Sequence, residues 1–217
     1  MKVVVVASGE LAKSDAAWLD DVDLVIAADG GAGSLDRLGR APDVLVGDLD
    51  SVDSRLVARL AAAGTTVERH PVDKEASDTE LAVEMALGAG ADAVVLLGAV
   101  GGERLDHELA NLLLLADPAL AGHDVRAVRG STQVRAVNRG ERLDLEGSSG
   151  DLVTLLPVGG DATGVTTAGL RWPLDGATLA LGRSRGLSNE VVDRPASVQV
   201  THGTLLVIET ALRGDIA

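Results

Sequence analysis

The chain has 217 residues, 46% of them apolar, which is enough for one large domain or two small ones with a substantial core. Its formal net charge of −14 argues against nucleic acid as a partner, since phosphate backbones demand Lys and Arg, and the lack of Phe and Tyr removes most of the stacking platforms that single strands need. Cysteine is absent too, which excludes disulfides, thiolate metal sites and thiol nucleophiles and leaves an aliphatic core of Val, Leu and Ala.

The first predicted strand, Val3–Ala7, begins almost at once, without the charged region, longer apolar core and cleavage site of a signal peptide. The longest apolar runs, Ala93–Leu97 and Leu109–Ala116 (interrupted by Asn111), fall short of a membrane span. A soluble cytoplasmic protein with no membrane partner is expected. Further strands are predicted at Leu24–Ala28, Val44–Val46, Thr66–Arg69, Ala93–Leu97 and Val125–Val128. Between them, Leu56, Val57, Leu60 and Ala61 repeat with helical period and Gly64 closes the segment. Ser77 and Glu80 have the spacing of a capping box, and Asp106 is placed to cap a helix carrying Leu109, Leu112, Leu113 and Ala116. This alternation predicts a Rossmann-like α/β domain over residues 1–129, with a mostly parallel sheet and helices on both faces.

Beyond Gly130 the helical period disappears. Short runs recur at Gln133–Val137, Leu152–Leu156, Ala162–Thr166, Ala177–Leu181, Ser197–Val200 and Thr204–Ile208, separated by Gly, Asp and Ser. They predict an antiparallel β-sandwich over 130–217, whose sheet edges need cover from the first domain or from a second subunit.

Four stretches carry chemistry, and each follows a predicted strand, where ligands bind in open α/β sheets. Asp29-Gly30-Gly31-Ala32 lets backbone approach a ligand closely, although it matches neither the dinucleotide fingerprint nor a Walker A loop. Gly47-Asp48-Leu49-Asp50-Ser51 sets two aspartates at i and i+2 past a buried strand, a pair that a hard divalent cation such as Mg²⁺ would relieve. In the third stretch, Lys74 and Asp78 bring a cation and a carboxylate to the start of a helix. The fourth, Gly98–His107, is glycine-rich and ends with Arg104, Asp106 and His107. Singly, each aspartate is explained by a cap or a turn, and His107 by packing or solvent exposure. Convergence of Asp29, Asp48, Asp50 and Asp78 with Lys74 is not so easily explained by caps.

With these blocks in this order, the sequence resembles the thiamine pyrophosphokinases. The matching motifs are Asp29-Gly30-Gly31-Ala32, Gly47-Asp48-Leu49-Asp50-Ser51, Lys74-x-x-Ser77-Asp78-x-Glu80 and Gly102-Glu103-Arg104-Leu105-Asp106-His107 followed by Leu109-Ala110-Asn111. The resemblance continues through Gly169-Leu170-Arg171-Trp172-Pro173-Leu174 and Gly186-Leu187-Ser188-Asn189-Glu190. It implies an α/β catalytic domain, a C-terminal β-sandwich for thiamine binding and dimerisation, and a homodimer with active sites shared between subunits. It implies transfer of the β,γ-diphosphate of ATP to the hydroxyethyl oxygen of thiamine, leaving AMP. Position by position, Asp48, Asp50 and Asp78 become Mg²⁺ ligands, and Lys74 and Arg104 stabilise the transferring phosphates. Asp29, Gly30, Gly31, Asp106 and His107 fall on the ATP side, and Ser188, Asn189 and Trp172 on the thiamine side. Three positions depart from the family pattern: Glu103 stands where a second Gly is common, Ser77 where Thr is usual, and Trp172 where the aromatic is often Tyr. The acidic cluster alone also suits a metal-dependent nucleotide phosphohydrolase, and the same fold without turnover would be a ligand sensor.

Overall fold

The computed structural model describes residues 1–212. The chain forms two compact units. One comprises Met1–Leu114 with Gly122–Gly130, and the other Leu115–Ala121 with the residues from Ser131 onward.

The first unit is a six-stranded parallel sheet. Its strands are β1 (Lys2–Val6), β2 (Leu24–Ala28), β3 (Val44–Gly47), β4 (Thr66–Arg69), β5 (Ala93–Leu97) and β6 (Asp124–Arg129), in the order β4-β3-β2-β1-β5-β6. The central strands read as unbroken apolar runs because both faces are covered. Val4 and Val6 of β1 join Leu35 of α1 (Gly31–Arg37) and Val57 and Leu60 of α2 (Ser54–Ala62) in one aliphatic core. A third helix, α3 (Asp78–Gly88), packs on β1, β2 and β3 through its buried Ala82, Val83 and Ala86. A fourth, α4 (Leu105–Leu114), follows β5.

The strand order fixes where a ligand can enter. From β1 the chain steps outward to β4, then returns to place β5 on the other side of β1. The loops after β1 and β5 therefore leave in opposite senses and open a crevice between them. Its floor is tight: the Gly9 N–H donates to the Gly98 carbonyl at 2.9 Å.

The second unit is antiparallel throughout. Its strands are β7 (Thr132–Val137), β8 (Arg142–Asp144), β9 (Leu152–Ala168), β10 (Ala177–Leu179), β11 (Asn189–Glu190), β12 (Ser197–Gln199) and β13 (His202–Thr210). The main path is β7-β13-β9-β12-β8, with β10 and β11 also paired to β9. Two runs expected as separate strands, Leu152–Leu156 and Ala162–Thr166, are the two halves of β9. The glycines between them bend the strand without reversing it. The first half pairs with β13 and the second with β10 and β12, so one strand serves both layers. Val153 and Leu155 from the first half and Val165 from the second meet Val198, Leu205 and Val207 in a single core. Two strands went unforeseen, β8 and β11, because stretches of three and two residues are too short to leave a periodic signal. A further correction concerns helix starts: Asp106 lies inside the first turn of α4 and does not cap it.

One buried ion pair fastens the edge of this unit. Arg135 Nη2 donates to Glu209 Oε1 at 2.6 Å, and both side chains are almost fully buried. Glu209 Oε2 accepts the backbone N–H groups of Glu146 and Gly147 at 2.7 and 3.0 Å, so β13 holds the segment that follows β8. Removing one partner of such a pair leaves an uncompensated buried charge. Glu209→Ala is expected to lower unfolding stability by about 3 kcal/mol, measured by urea denaturation. A loss below about 1 kcal/mol would show that Arg135 finds other compensation.

Candidate phosphoryl-transfer site

The crevice of the first unit is a cleft of about 830 Å³, bordered by the ends of β1, β2, β3 and β5 and by the loops that follow them. Asp29 sits directly after β2 in the left-handed region, with φ 44°, and its N–H donates to the Val46 carbonyl at 2.8 Å. This places its carboxylate beside β3. Oδ2 accepts the Ser51 hydroxyl, whereas Oδ1 is buried without a hydrogen-bond partner.

Asp48 follows β3. The residue before it must be glycine: a Cβ on Gly47 would lie 3.1 Å from the Asp29 Cβ and 3.2 Å from the Asp78 carboxylate, and its φ of 146° is one that side chains rarely adopt. The residue after it, Leu49, is buried at 6% exposure with φ 63°. That left-handed turn ends the extended conformation in which i and i+2 share a face. Asp48 consequently faces the cleft interior. Asp50 is exposed at the cleft border, its N–H closing back on Asp48 Oδ1 at 3.1 Å.

Asp78 is the first residue of α3, held by the Ser77–Glu80 capping box. Ligand oxygens of Asp29, Asp48 and Asp78 all lie within 4.8 Å of one another. Lys74 answers this charge from the loop after β4. Its Nζ lies 3.1 Å from Asp78 Oδ1 and 3.7 Å from Asp48 Oδ2, and it also donates to the Pro71 carbonyl at 3.2 Å. Burial pushes the Asp29 carboxyl above its ordinary value. The Ser51 hydrogen bond partly offsets that, and the neighbouring Asp78 charge adds to it.

The glycine-rich loop after β5 is fixed from α4 by two side chains whose part in this the sequence did not suggest. Glu108 Oε1 accepts the Gly101 N–H at 2.8 Å, and the buried Asn111 donates to the Ala99 carbonyl at 2.9 Å. Their spacing from the loop, one and two helical turns in, is the only trace such anchors leave in a sequence. Arg104 and Asp106 are both exposed and bind each other through two hydrogen bonds of 2.9 and 2.6 Å, which hold the Asp106 carboxyl down at about 2. His107 and Glu103 border the cleft as exposed side chains. Gly30 and Gly31 open α1, and a Cβ on Gly31 would fall 2.0 Å from the Val6 carbonyl.

The remaining predicted residues belong to the second unit and come together there. Ser188 is exposed with φ 55°, its N–H donating to Thr154 Oγ1 at 3.0 Å. Asn189 is buried and bonds to the backbone of Trp172, whose ring is 60% exposed.

A parallel α/β unit with acidic residues, a lysine and a glycine-rich loop at its switch point, followed by an all-β unit, defines a two-unit protein with a site suited to phosphates and their counter-ions. The profile of the thiamin pyrophosphokinase catalytic domain matches residues 16–127, and that of the thiamin pyrophosphokinase vitamin B1 binding domain matches residues 141–205. The chain belongs to the thiamin pyrophosphokinase family, a family of enzymes. It is 26% identical over 194 residues to thiamine pyrophosphokinase of Bacillus subtilis, covering 89% of this chain and 90% of that one. It is 27% identical over 188 residues to thiamine pyrophosphokinase 1 of Oryza sativa subsp. japonica, covering 82% and 69%. The crystal structure of the Bacillus subtilis thiamine pyrophosphokinase superposes with a TM-score of 0.86 at 25% identity, covering 98% of this chain and all of the other. That of thiamin pyrophosphokinase from Geobacillus thermodenitrificans gives 0.80 at 25% identity, covering 100% and 99%. Among the described residues no helix is long and apolar enough to cross a membrane.

The donor set fits a hard divalent cation. All the donors are carboxylate oxygens; the buried Oδ1 of Asp29 has no hydrogen-bond partner, and that of Asp78 has only the Lys74 ion pair. Without a cation the cluster is a cost to the fold. Because the folded-state pKa of Asp29 is raised, its stabilising contribution is complete below the ordinary carboxylate value of about 3.9 and is lost as pH rises through the folded value. Asp29→Asn keeps an acceptor for Ser51 and tolerates the left-handed backbone. In EDTA the variant is expected to melt above wild type at pH 7, with the difference closing toward pH 4. Mg²⁺ is expected to raise the Tm of wild type more than that of the variant. A variant that melts below wild type at pH 7 would show that the Asp29 charge is not a burden on the fold.

Proposed function

We propose that the cleft of the first unit binds ATP with Mg²⁺ and that the β,γ-diphosphate passes to the hydroxyethyl oxygen of thiamine, leaving AMP. The observation that carries this reading is the convergence of Asp29, Asp48 and Asp78, with Lys74 between two of them, at the switch point of a parallel sheet. Membership of the family supports thiamine and ATP as substrates.

In this reaction the thiamine oxygen forms a bond to the β-phosphorus, the bridge to the α-phosphorus breaks, and the hydroxyl proton is released. Displacement at phosphorus needs positioning and charge neutralisation more than covalent help from the protein. Asp29, Asp48 and Asp78 would hold the Mg²⁺, with Asp50 at the border of the cleft acting on its hydration. The ion supplies neutralisation of phosphate charge. Lys74 is placed to move from its carboxylates to a phosphate oxygen once a cation takes over their charge. Arg104, set in orientation by Asp106, offers its fork to the equatorial oxygens, with His107 beside it. Gly30 and Gly31 admit the nucleotide close to the backbone. On the thiamine side we assign Ser188 and Trp172 of the second unit as contacts, with the buried Asn189 behind Trp172.

We further propose a homodimer with shared active sites, working in the cytoplasm. Supporting the dimer, α4 leaves Leu105, Leu109 and Leu113 at 67%, 53% and 55% exposure, a single stripe at i, i+4 and i+8.

Incubation with ATP, Mg²⁺ and thiamine, followed by nucleotide separation, tests the reaction. Thiamine diphosphate and AMP are expected in equal amounts. ADP would defeat the reading, nucleotide breakdown independent of thiamine would favour a phosphohydrolase, and tight binding without turnover a sensor. Asp48→Asn is expected to lower kcat by at least about a hundredfold, and near-normal turnover would remove Asp48 from the site. Leu109→Glu is expected to shift the protein toward monomer in light scattering. An unchanged mass would place the interface elsewhere.

A further inference from the structure

Trp172 is a large aromatic side chain exposed over most of its surface, yet the backbone beneath it is fixed on both sides. Its N–H donates to Asn189 Oδ1 at 3.1 Å, and its carbonyl accepts from Asn189 Nδ2 at 2.8 Å. The side-chain amide thus pairs with one peptide unit as a neighbouring strand would. Asn189 Oδ1 also accepts the Glu190 N–H at 2.9 Å. With the residue buried, both acceptor positions and one of two donors are spent inside the protein. Little is left to offer a substrate.

The residue before the tryptophan is held as firmly. Arg171 N–H donates to the Glu190 carbonyl at 2.9 Å, and the Arg171 guanidinium meets the Glu190 carboxylate through Nε at 2.8 Å and Nη2 at 2.9 Å. Its Cζ lies 5.9 Å from the centroid of the Trp172 ring. Leu170 bridges to Val191, which is fully buried. Residues 170–172 are therefore registered on 189–191 at every step.

We propose that Asn189 is a positioning residue that acts on thiamine recognition through Trp172. It holds the tryptophan backbone so that the ring stands ready as a contact surface, and it does not touch the substrate itself. This rests on the assignment of thiamine to Trp172. A ring already fixed in place costs less ordering on binding than one on a mobile loop, so loss of the brace appears as weaker substrate binding and not as slower chemistry.

The test is a double-mutant cycle of Asn189→Ala and Trp172→Ala, read as steady-state kinetics. Asn189→Ala is expected to raise KM for thiamine about tenfold, with kcat and KM for ATP within about twofold of wild type. The double variant is expected to be no worse than Trp172→Ala alone. Additive effects, or an unchanged KM for thiamine in Asn189→Ala, would overturn the proposal. In a Trp18→Phe background Trp172 is the sole tryptophan, and Asn189→Ala should increase its quenching by acrylamide without substrate; unchanged quenching counts against the brace. Asn189→Asp keeps both acceptor bonds but turns a carboxylate oxygen against the Trp172 carbonyl, so a shift in the same direction and at least as large is expected. This variant also serves if the alanine variant does not fold. Wild-type protein that makes no thiamine diphosphate would sink the functional assignment and the substrate half of this proposal together. Acrylamide quenching then still decides whether Asn189 holds Trp172.

Discussion

Three carboxylates kept within reach of one another is the constraint on which the first unit depends. Like charges at this spacing repel, and the protein holds them there with backbone. Asp29 is fixed by its backbone hydrogen bond to β3, Asp78 by the cap of α3, and Asp48 by the glycine that makes room for the other two. Lys74 relieves the repulsion only in part, since Asp29 lies outside its ion pairs. The cluster is preorganised at the expense of stability, as expected where binding of a cation provides the compensation.

The same geometry reconciles an acidic chain with a polyanionic substrate. A net charge of −14 repels nucleotides at long range. Close to the site, however, Asp29, Asp48 and Asp78 are grouped so that one cation could answer all three, and the exposed Asp106 is already matched with Arg104. In the proposed reaction, attraction would begin once metal and nucleotide arrive together.

Much of this was legible in the sequence, for identifiable reasons. Strands such as β1 and β5 announce themselves because burial on both faces demands unbroken apolar runs, and the start of α3 because Ser77 and Glu80 satisfy its first N–H groups. The strand-end positions of Asp29 and Asp48 follow from those runs, and the helix-start position of Asp78 from that cap. Other features left no periodic trace. The i, i+2 spacing of Asp48 and Asp50 suggests a shared face, and nothing in the letters reports that Leu49 turns left-handed and parts them. Gly159 and Gly160 look like a turn, yet β9 runs on past them, its pairing with β13 shifting register there and resuming at Thr163. Asn189 has the appearance of a ligand contact, and only the pairing of 189–191 with 170–172 shows where its amide is spent. Glu108 and Asn111 read as ordinary helix residues until the loop they hold is seen.

Leu49 has a wider consequence. Its side chain belongs to the aliphatic core of the first unit, while its backbone sets the direction of the aspartates on either side. Hydrophobic packing and the geometry of the proposed metal site thus meet in one residue. Changes deep in that core, far from any substrate, can detune the chemistry before they unfold the protein. Val57 and Leu60 share that core, so the packing that places Leu49 extends to residues far from any phosphate.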